Sequence, residues 1–257
     1  MESPGMSRTN RHSSPLPPGQ RPIEGFPRFG THFHVPPPAV PADPVIEVSR
    51  AAAESFSVPL AELAALPRQE LTADFHCVAG WSATNLHWEG VAFQIFYRKV
   101  IEPSIRADTS VTHLVFGGLD GYWSYMSIED ALAEDVLIAD RLDGRPLDGD
   151  HGAPVRLVSP NHYGLVNTKH LCRIELCTAE PRGYGSASSI ARVGMPLLGY
   201  GRPPRARVWE EERNRYLPAW LVRVVGRLFI RPTAFLSARG SQRGRTPRAR
   251  RSMEVDE

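Results

Sequence analysis

The stretch DFHCVAGWS, at residues 74–82, places one of the three cysteines of the chain where a strand-like segment meets a glycine. The overlapping residues ELTADFHCV, at 70–78, alternate as a half-buried strand does, and Gly80 interrupts the pattern. Cys77 therefore lies at a predicted strand end, where a side chain can reach a ligand. It can pack as a small hydrophobic residue, act as a nucleophile or bind a metal, and taken alone it favours packing.

The neighbours of Cys77 narrow these roles without deciding among them. His76 points to the opposite face of the predicted strand and so is not automatically a base for the thiol. A hydrolase would need a histidine from elsewhere, for which His87, His151 and His162 are candidates, but no nucleophile signature surrounds Cys77. The chain has no C-x-x-C or H-x-x-x-H pair, which disfavours zinc. One thiolate is sufficient when a cofactor supplies the other ligands, as the dithiolene of a pterin does for molybdenum.

A second stretch, HGAPVRLVSPNHYGLVNTKH at residues 151–170, contains groups that an anionic, phosphate-bearing pterin requires. Arg156 offers a planar fork of donors, and Lys169, one of only two lysines beside 28 arginines, offers a compact charge. Asn167 and Thr168 add neutral hydrogen-bonding groups. Each residue is also common at a protein surface, so only their combination with Cys77 favours a cofactor site.

The two ends of the chain differ in composition from its centre. Eleven of the 24 prolines precede residue 45, which predicts an extended arm over residues 1–44. Residues 45–180 mix strands and short helices without a regular strand–helix alternation, which predicts an α+β domain. Residues 181–239 predict a helical extension with an amphipathic basic helix after Pro218, and residues 240–257 predict a disordered basic tail.

Local patterns predict three helices in the central domain. Ser57 is expected to cap a helix that ends before Pro67, and a second helix is expected over residues 89–101. Ser127 is expected to cap a short helix over residues 127–135. The other apolar stretches are predicted strands: 45–50, 70–78, 111–118, 136–142, 155–160 and 171–177. Residues 119–126 are predicted to form a turn that leads into a further strand.

The net charge of +2 hides a basic end, because 14 arginines and three glutamates lie between Gly201 and Arg251. The basic helix after Pro218 is a predicted docking surface for an electron carrier, and it could also contact a membrane peripherally; nucleic acid is not expected as a partner. A separate electron-transfer protein is expected because no glycine fingerprint for a flavin or nicotinamide and no haem motif is present. No apolar stretch reaches the ~18 residues of a membrane span. These features predict a cytoplasmic protein.

Three motifs, in this order and spacing, resemble the sulfite oxidase family of molybdopterin-binding oxidoreductases: DFHCVAGWS, LDGYW and HGAPVRLVSPNHYGLVNTKHLCRIEL. The likeness is greatest to the haem-free bacterial type, which includes catalytic subunits of periplasmic methionine sulfoxide reductases. It covers about residues 20–180 and implies a mixed-sheet fold and a molybdenum–molybdopterin cofactor. It implies that Cys77 binds molybdenum. It also implies cofactor contacts by the following residues: Thr31, His32, Thr112, His151, Arg156, Asn167, Thr168 and Lys169.

The resemblance implies an enzyme that transfers an oxygen atom, in a two-electron reaction, to or from a small substrate such as a sulfoxide, an N-oxide or sulfite. Asp120 and Tyr122 of the LDGYW motif are candidate catalytic residues at the entrance to the site. The length after residue 180 is too short for the immunoglobulin-like dimerisation domain of larger sulfite oxidases, so a monomer is expected. The alternatives are a non-catalytic pterin-binding module and a cysteine-dependent hydrolase or transferase.

Overall fold

The computed structural model describes residues 15–28, 36–50, 54–104, 110–181, 185–186 and 205–210. Thr31, His32, the predicted basic helix after Pro218 and the predicted basic tail lie outside these residues. Within the described ranges, no helix is long and apolar enough to cross a membrane.

Twelve strands and three short α-helices form the described part of the chain. The strands are β1 Pro22–Ile23, β2 Val45–Arg50, β3 Glu54–Pro59, β4 Arg68–His76, β5 Ser82–Ala92, β6 His113–Gly118, β7 Tyr122–Ser127, β8 Leu137–Leu142, β9 Arg145–Pro146, β10 Arg156–Val158, β11 Leu171–Cys177 and β12 Gly185–Ser186. The α-helices are α1 Leu60–Ala64, α2 Phe93–Phe96 and α3 Ile128–Ala131; α2 continues as a π-helix, Tyr97–Ile101, and a 3₁₀ turn, Glu102–Ser104.

The strands form two six-stranded mixed sheets. The first sheet has the order β1-β5-β8-β10, with β4 beside β5 and β9 beside β8, and the second has the order β12-β7-β6-β11-β2-β3. β1 runs parallel to β5 and β2 runs parallel to β11, whereas the other pairs are antiparallel. The predicted α+β class is therefore confirmed.

The main core lies where buried residues of both sheets meet. Ile138 and Leu157 of the first sheet belong to the same apolar cluster as Phe116 and Ile174 of the second, and Phe93 of α2 is also in this cluster. A second cluster, which includes Cys77, Trp81, Trp88 and Leu137, lies under the end of β4. The cysteine is thus positioned by a packed apolar layer of the first sheet.

The helix predicted from Ser57 is wrong in its first half. Ser57 lies in β3, opposite Glu47 of β2, and its hydroxyl donates to Glu47 Oε1 at 2.6 Å. Helix α1 begins only at Leu60, after Pro59, and has no side-chain cap. The pairing of β3 with β2 overrides the local Ser-x-Pro signal, because a full strand ladder satisfies more backbone groups than one cap.

The helix predicted over residues 89–101 is also only partly correct. Residues up to Ala92 belong to β5, and the helix begins at Phe93. The β5–β8 register shifts between Glu89 and Gly90, and a Cβ at Gly90 would collide with the carbonyl oxygen of Ile138. Gly90 therefore allows a bulge with close backbone contact in a sheet. The predicted cap of α3 is confirmed, since Ser127 Oγ accepts from the Asp130 amide at 3.1 Å.

Candidate functional site

Cys77 lies in a tight turn directly after β4, which we call the cysteine turn (residues 77–81). The Cys77 amide donates to the Trp81 carbonyl at 2.8 Å, and the Gly80 amide donates to the Cys77 carbonyl at 2.9 Å. Gly80 has φ +86°, a conformation that favours glycine. Cys77 itself is 6% exposed. The turn holds one thiol at the strand end in a nearly closed environment.

A directed chain of hydrogen bonds fixes the backbone of the cysteine turn. Gln20 Nε2 donates to the Cys77 carbonyl at 3.1 Å, and Ser82 Oγ donates to Gln20 Oε1 at 3.1 Å. His76 Nδ1 lies 2.7 Å from the same Ser82 oxygen. Because the Ser82 proton goes to Gln20, His76 Nδ1–H is the donor to Ser82. Burial lowers the pKa of His76, so the neutral ring serves here as a structural support rather than as a base for Cys77.

The segment between β10 and β11, residues 159–170, is here called the lysine loop, and it lies beside the cysteine turn. The Gly164 amide donates to the His76 carbonyl at 2.7 Å, one residue before Cys77. The Phe75 ring lies so close to Gly164 that a Cβ there would overlap it. The structure thus brings together two stretches that are about eighty residues apart in the sequence.

Substituting Gly164 by alanine is expected to destabilise the protein by about 2 kcal/mol, because the added methyl group must displace the Phe75 ring or the loop. Gly117→Ala is a matched control: its Cβ would meet mainly the Arg173 side chain, at 3.0 Å, which can move away. Urea unfolding compares the two variants. Equal losses of unfolding free energy in both variants would contradict a special packing role for Gly164.

Arg156 is fully buried at the start of β10. Within the described residues its hydrogen bonds all go to carbonyl oxygens: those of His151 at 2.9 Å, Asn167 at 3.2 Å and Leu157 at 3.4 Å. Burial lowers the pKa of Arg156 to about 9, so the guanidinium remains charged at neutral pH. A buried cation with only neutral partners is costly unless an anion balances it.

The guanidinium of Arg156 is also surrounded by aromatic rings. The ring centroids of Phe26, Phe75 and Trp88 lie 5.8, 5.5 and 5.1 Å from its central carbon. Such contacts favour a cation but leave its charge formally unbalanced. Phe26 belongs to the arm and Phe75 to β4, so this cage connects the arm, β4 and β5 around one charge.

Lys169 and Arg28 bring two further positive charges to the same region. Lys169 Nζ donates to the Asp150 carbonyl at 2.6 Å, and burial, followed by the charges of Arg156 and Arg28, lowers the pKa of Lys169 to about 7. Arg28 Nε lies 3.9 Å from Asp150 Oδ1, and its Nη1 is buried without a hydrogen-bond partner. We call Arg28, Arg156 and Lys169 the cation cluster. The negative charges of two carboxylates, Asp120 and Asp150, raise the pKa values of Arg28 and Lys169. Three cationic side chains thus stand against two carboxylates, so positive charge is in excess.

His151 fastens the arm to the loop that precedes β10. Its Nδ1 lies 2.7 Å from Asp148 Oδ1 and its Nε2 lies 2.8 Å from the Phe26 carbonyl. Although burial opposes it, the contacts with His151 lower the pKa of Asp148. The backbone carbonyl of His151 accepts from Arg156, so the residue contributes to the site mainly by holding other groups in place.

The side chains of Asn167 and Thr168 are engaged within the lysine loop and its neighbours. Asn167 Oδ1 accepts from the Ser159 amide at 2.6 Å, and its Nδ2 faces the carbonyls of Ser159, His162 and Tyr163. Thr168 Oγ1 lies 2.7 Å from Ser124 Oγ. These two side chains therefore shape the loop that carries Lys169.

Asp120 and Tyr122 lie near the cation cluster, whereas Thr112 does not. Asp120 Oδ1 accepts from the Tyr122 amide at 3.0 Å, and Tyr122 Oη donates to the Leu165 carbonyl at 2.5 Å; burial raises the pKa of Tyr122. Thr112 precedes β6 and donates to the Cys177 carbonyl at 3.3 Å. Lys169 adjoins Gly118 at the other end of β6, about 20 Å from Thr112 at ~3.4 Å per residue.

The donor set of this region fits an anionic cofactor that brings its own metal ligands. The cation cluster offers charge and N–H donors that an acidic, phosphate-bearing group would satisfy. The Gly164–His76 hydrogen bond places the single thiol of Cys77 next to the loop that carries Lys169. In the described ranges, no group of three or more His, Cys, Asp or Glu side chains is arranged to hold a metal ion.

Sequence reasoning missed Arg28, Phe26, Phe75 and Gln20. The three arm residues occur in a proline-rich region without a recognisable motif, and only their long-range contacts reveal them. Phe75 lies in the DFHCVAGWS stretch, but nothing in a strand pattern shows that its ring faces a guanidinium. The one available signal was the position of Arg28, three residues before the predicted Thr31 contact.

The profile of the family described as "Oxidoreductase molybdopterin binding domain" matches residues 32–185. A putative protein-methionine-sulfoxide reductase subunit of Azospira oryzae is 30% identical over 139 residues, which are 54% of this chain and 51% of that protein. Mitochondrial sulfite oxidase of Drosophila melanogaster is 26% identical over 219 residues, which cover 69% of this chain and 37% of that protein. The sulfane dehydrogenase of Paracoccus pantotrophus superposes with a TM-score of 0.45 at 16% identity, over 69% of this chain and 56% of that one. The chain thus spans about half the length of the first relative and little more than a third of the second.

Proposed function

Since the chain belongs to the family of oxidoreductase molybdopterin-binding domains, we propose that it is a molybdenum-dependent oxidoreductase acting on a small substrate. The observation that supports this most directly is the buried cation cluster beside the cysteine turn. When bound, the molybdenum–pterin group supplies two-electron oxygen-atom transfer.

Cys77 is the proposed protein ligand of molybdenum. Its thiolate is a soft donor of the kind that molybdenum accepts beside the sulfurs of a pterin. The cysteine turn and the Gln20–Ser82–His76 hydrogen-bond chain fix where the sulfur lies. The low exposure of Cys77 and the commitment of His76 to Ser82 do not favour the alternative role of a nucleophile with a neighbouring base.

The cation cluster is proposed to bind the phosphate-bearing end of the cofactor. Arg156 contributes a fixed fork, because its carbonyl partners and aromatic cage hold the guanidinium in place. An anion bound beside Lys169 raises the depressed pKa of this lysine and so keeps it protonated. Lys169 then contributes a positive charge to the site. Asn167 and Thr168 hold the lysine loop in the shape that presents Lys169.

The arm is proposed to complete the site. Arg28 adds a third cation, and His151 ties the arm to the site through the Phe26 carbonyl. The roles of Thr31 and His32 stay predictions, and so does that of Thr112, whose position the structure keeps apart from the cation cluster. Asp120 and Tyr122 are proposed to line the entrance, where Tyr122 stays protonated and holds Leu165.

The names of the relatives guide the proposed substrate and partner. One is called a protein-methionine-sulfoxide reductase subunit and the other a sulfite oxidase, which supports a substrate with a sulfur–oxygen bond. The word subunit supports a separate electron-transfer protein as partner. The cytoplasmic location and the monomeric state expected from the sequence stay predictions.

Metal and pterin analysis of protein purified from a molybdenum-replete host tests the proposal. We expect about one molybdenum and one pterin per chain, the 1:1 ratio set by a single Cys77 ligand. Turnover is then measured with sulfoxides, N-oxides and sulfite, using artificial electron donors and acceptors. Protein that contains no molybdenum would overturn the proposal, and loaded protein without turnover on any of these compounds would point to a non-catalytic pterin-binding module.

The depressed pKa of Lys169 makes the stability of protein prepared without the cofactor depend on pH. The folded lysine loses its proton near pH 7, whereas the unfolded one keeps it to about 10.5, so the unfolded state binds more protons between these values. The free energy of unfolding should therefore rise with pH across this window, by about 3 kcal/mol. Urea unfolding from pH 7 to 10 measures the slope. Lys169→Met should keep only the smaller rise near pH 9 and above that the buried Arg156, with its pKa of about 9, contributes, and equal slopes in both proteins would contradict the assignment.

A further inference from the structure

His170, the last residue of the lysine loop, has a left-handed backbone conformation. Its φ is +55°, in a region that residues with a side chain rarely adopt, because the Cβ crowds the backbone there. The residue is only 2% exposed, so its ring lies in the interior. A conformation of this kind persists where the surrounding contacts hold it, and such residues cluster at sites where function depends on placement.

Three hydrogen bonds fasten His170 to two neighbouring loops. Its amide donates to the Gly152 carbonyl at 3.1 Å, and its carbonyl accepts from the Leu119 amide at 2.9 Å. Its Nδ1 lies 2.6 Å from the Ala153 carbonyl, and Nδ1 carries the proton because a carbonyl oxygen only accepts. His170 thus ties the lysine loop both to the loop before β10 and to the residue that follows β6.

The residue before His170, Lys169, lies between two glycines that belong to these same loops. A Cβ at Gly118 would collide with the Lys169 carbonyl oxygen. A Cβ at Gly152 would come within 3.0 Å of the Lys169 Cβ and 3.2 Å of its Cα. We call Gly118 and Gly152 the glycine clamp. Since His170 is bonded to Gly152 and to Leu119, which follows Gly118, it holds both sides of the clamp against Lys169.

The His170 ring is a hydrogen-bond donor that carries no charge. Burial lowers the pKa of His170, and the charges of Lys169 and Arg156 lower it further, whereas the hydrogen bond to Ala153 and the charge of Asp120 oppose the change. The ring is therefore neutral at pH 7. A charged donor at this position would add a fourth cation to a cluster in which positive charge is already in excess, and such a buried charge is costly.

The Lys169 side chain extends from the glycine clamp into the cation cluster. Its Nζ donates to the Asp150 carbonyl at 2.6 Å, and the charges of Arg156 and Arg28 act on it. Because a lysine has a flexible four-carbon stem, the place that its ammonium occupies depends on how firmly the backbone at its base is held.

We propose that His170 is a positioning residue of the cofactor site: its left-handed backbone and neutral ring hold the glycine clamp and so fix the Lys169 ammonium beside Arg156. His170 acts through Lys169 and has no contact with the substrate in this role. Its effect on cofactor binding rests on the proposed function, whereas the placement of Lys169 does not.

Two substitutions separate the ring of His170 from its backbone. His170→Gly adopts the left-handed conformation without strain but removes the ring donor. His170→Asn also tolerates this conformation, and its amide offers an N–H close to the position of Nδ1. The matched control is Asn85→Gly, because Asn85 has φ +64° in β5 and an exposed side chain outside the cation cluster. It reports the cost of placing a glycine at a left-handed position.

Competitive acetylation of Lys169 and Lys99, the only two lysines of the chain, measures the pKa of Lys169 in the full chain prepared without cofactor. We expect the same pKa of about 7 in the wild type, in Asn85→Gly and in His170→Asn. In His170→Gly it should rise by about 1 or more towards 10.5, because a lysine that is no longer held can turn towards solvent.

Pterin analysis of the same variants, purified from a molybdenum-replete host, measures the effect on the cofactor. His170→Gly should lower pterin occupancy about tenfold, the cost of one hydrogen bond, and His170→Asn should stay within about twofold of the wild type. Asn85→Gly should keep the wild-type occupancy.

An unchanged Lys169 pKa in His170→Gly would overturn the proposal, and so would an equal rise in Asn85→Gly. If His170→Gly does not fold, His170→Asn still decides, because a Lys169 pKa in it that differs from the wild-type value would also overturn the proposal. The acetylation needs no cofactor. Wild-type protein without molybdenum would therefore overturn the proposed function and leave the placement of Lys169 by His170 to be judged by its own measurement.

Discussion

Cys77→Ser is expected to give folded protein that keeps its pterin but loses turnover. Changes that act only through a ligand's neighbours cost ~10–100-fold in activity, so loss of the ligand itself should cost more than about 100-fold. The serine oxygen replaces the sulfur in a site that is 6% exposed, and burying a hydroxyl there should destabilise the fold by only about 1–2 kcal/mol. Turnover and the electron paramagnetic resonance signal of molybdenum are measured on the same preparation.

Cys172→Ser provides the matched control for this experiment. Cys172 is partly buried in β11 of the second sheet, with its sulfur 3.6 Å from the Gly117 carbonyl, whereas the cysteine turn follows β4 of the first sheet. It should keep the wild-type spectrum and turnover. An unchanged electron paramagnetic resonance spectrum in Cys77→Ser would show that the Cys77 thiolate does not bind molybdenum, even if turnover fell.

Lys169→Met is expected to change two measurements in opposite directions. Removal of the charge and its N–H donors should lower molybdopterin occupancy at least about tenfold, the cost of one charged hydrogen bond. In protein prepared without the cofactor, the same change replaces a buried cation by an apolar chain and should raise the unfolding free energy at pH 7 by about 1–3 kcal/mol. Pterin analysis and urea unfolding measure the two effects.

Lys99→Met is the natural control, because Lys99 is the only other lysine of the chain and is exposed in the π-helix. In Lys99→Met, neither the molybdopterin occupancy nor the free energy of unfolding should change appreciably. If Lys169→Met kept full occupancy, the lysine would be no part of the cofactor site. If it lost occupancy and stability together, the effect would be a loss of folding rather than of binding.

The sequence was sufficient to locate the two halves of the candidate site because each half is a local pattern. The strand that ends at His76 and the turn at Gly80 follow from alternation and from glycine chemistry, and the structure confirms both. Arg156 and Lys169 stood out as a fork and a rare lysine, and they are in fact close to each other. Residue type and short spacing therefore picked out two cations that the fold brings together, and their role in binding a cofactor stays a prediction.

The sequence could not predict what depends on distant pairing. Ser57 has the local pattern of a helix cap, but it pairs with β2 as part of β3. Gly90 has a helical local pattern, but it lies in β5, which pairs with β8. Asn167 looked like a free hydrogen-bonding group, but its amide is used up by the backbone of its own loop. The only local signal for Arg28 was its position three residues before Thr31. In each case the deciding neighbour lies elsewhere in the chain, where no periodicity of a single segment can show it.

The contact between His151 and the Phe26 carbonyl spans 125 residues, and the contact between Gln20 and Cys77 spans 57. Both contacts need a partner that is already folded, because Gln20 binds a carbonyl of the cysteine turn and the Phe26 carbonyl contacts His151 in the loop before β10. The arm can therefore dock only after these parts of the site have formed. We expect that order of events to leave the site open for cofactor loading, with docking of residues 15–28 as the step that seals the cofactor in.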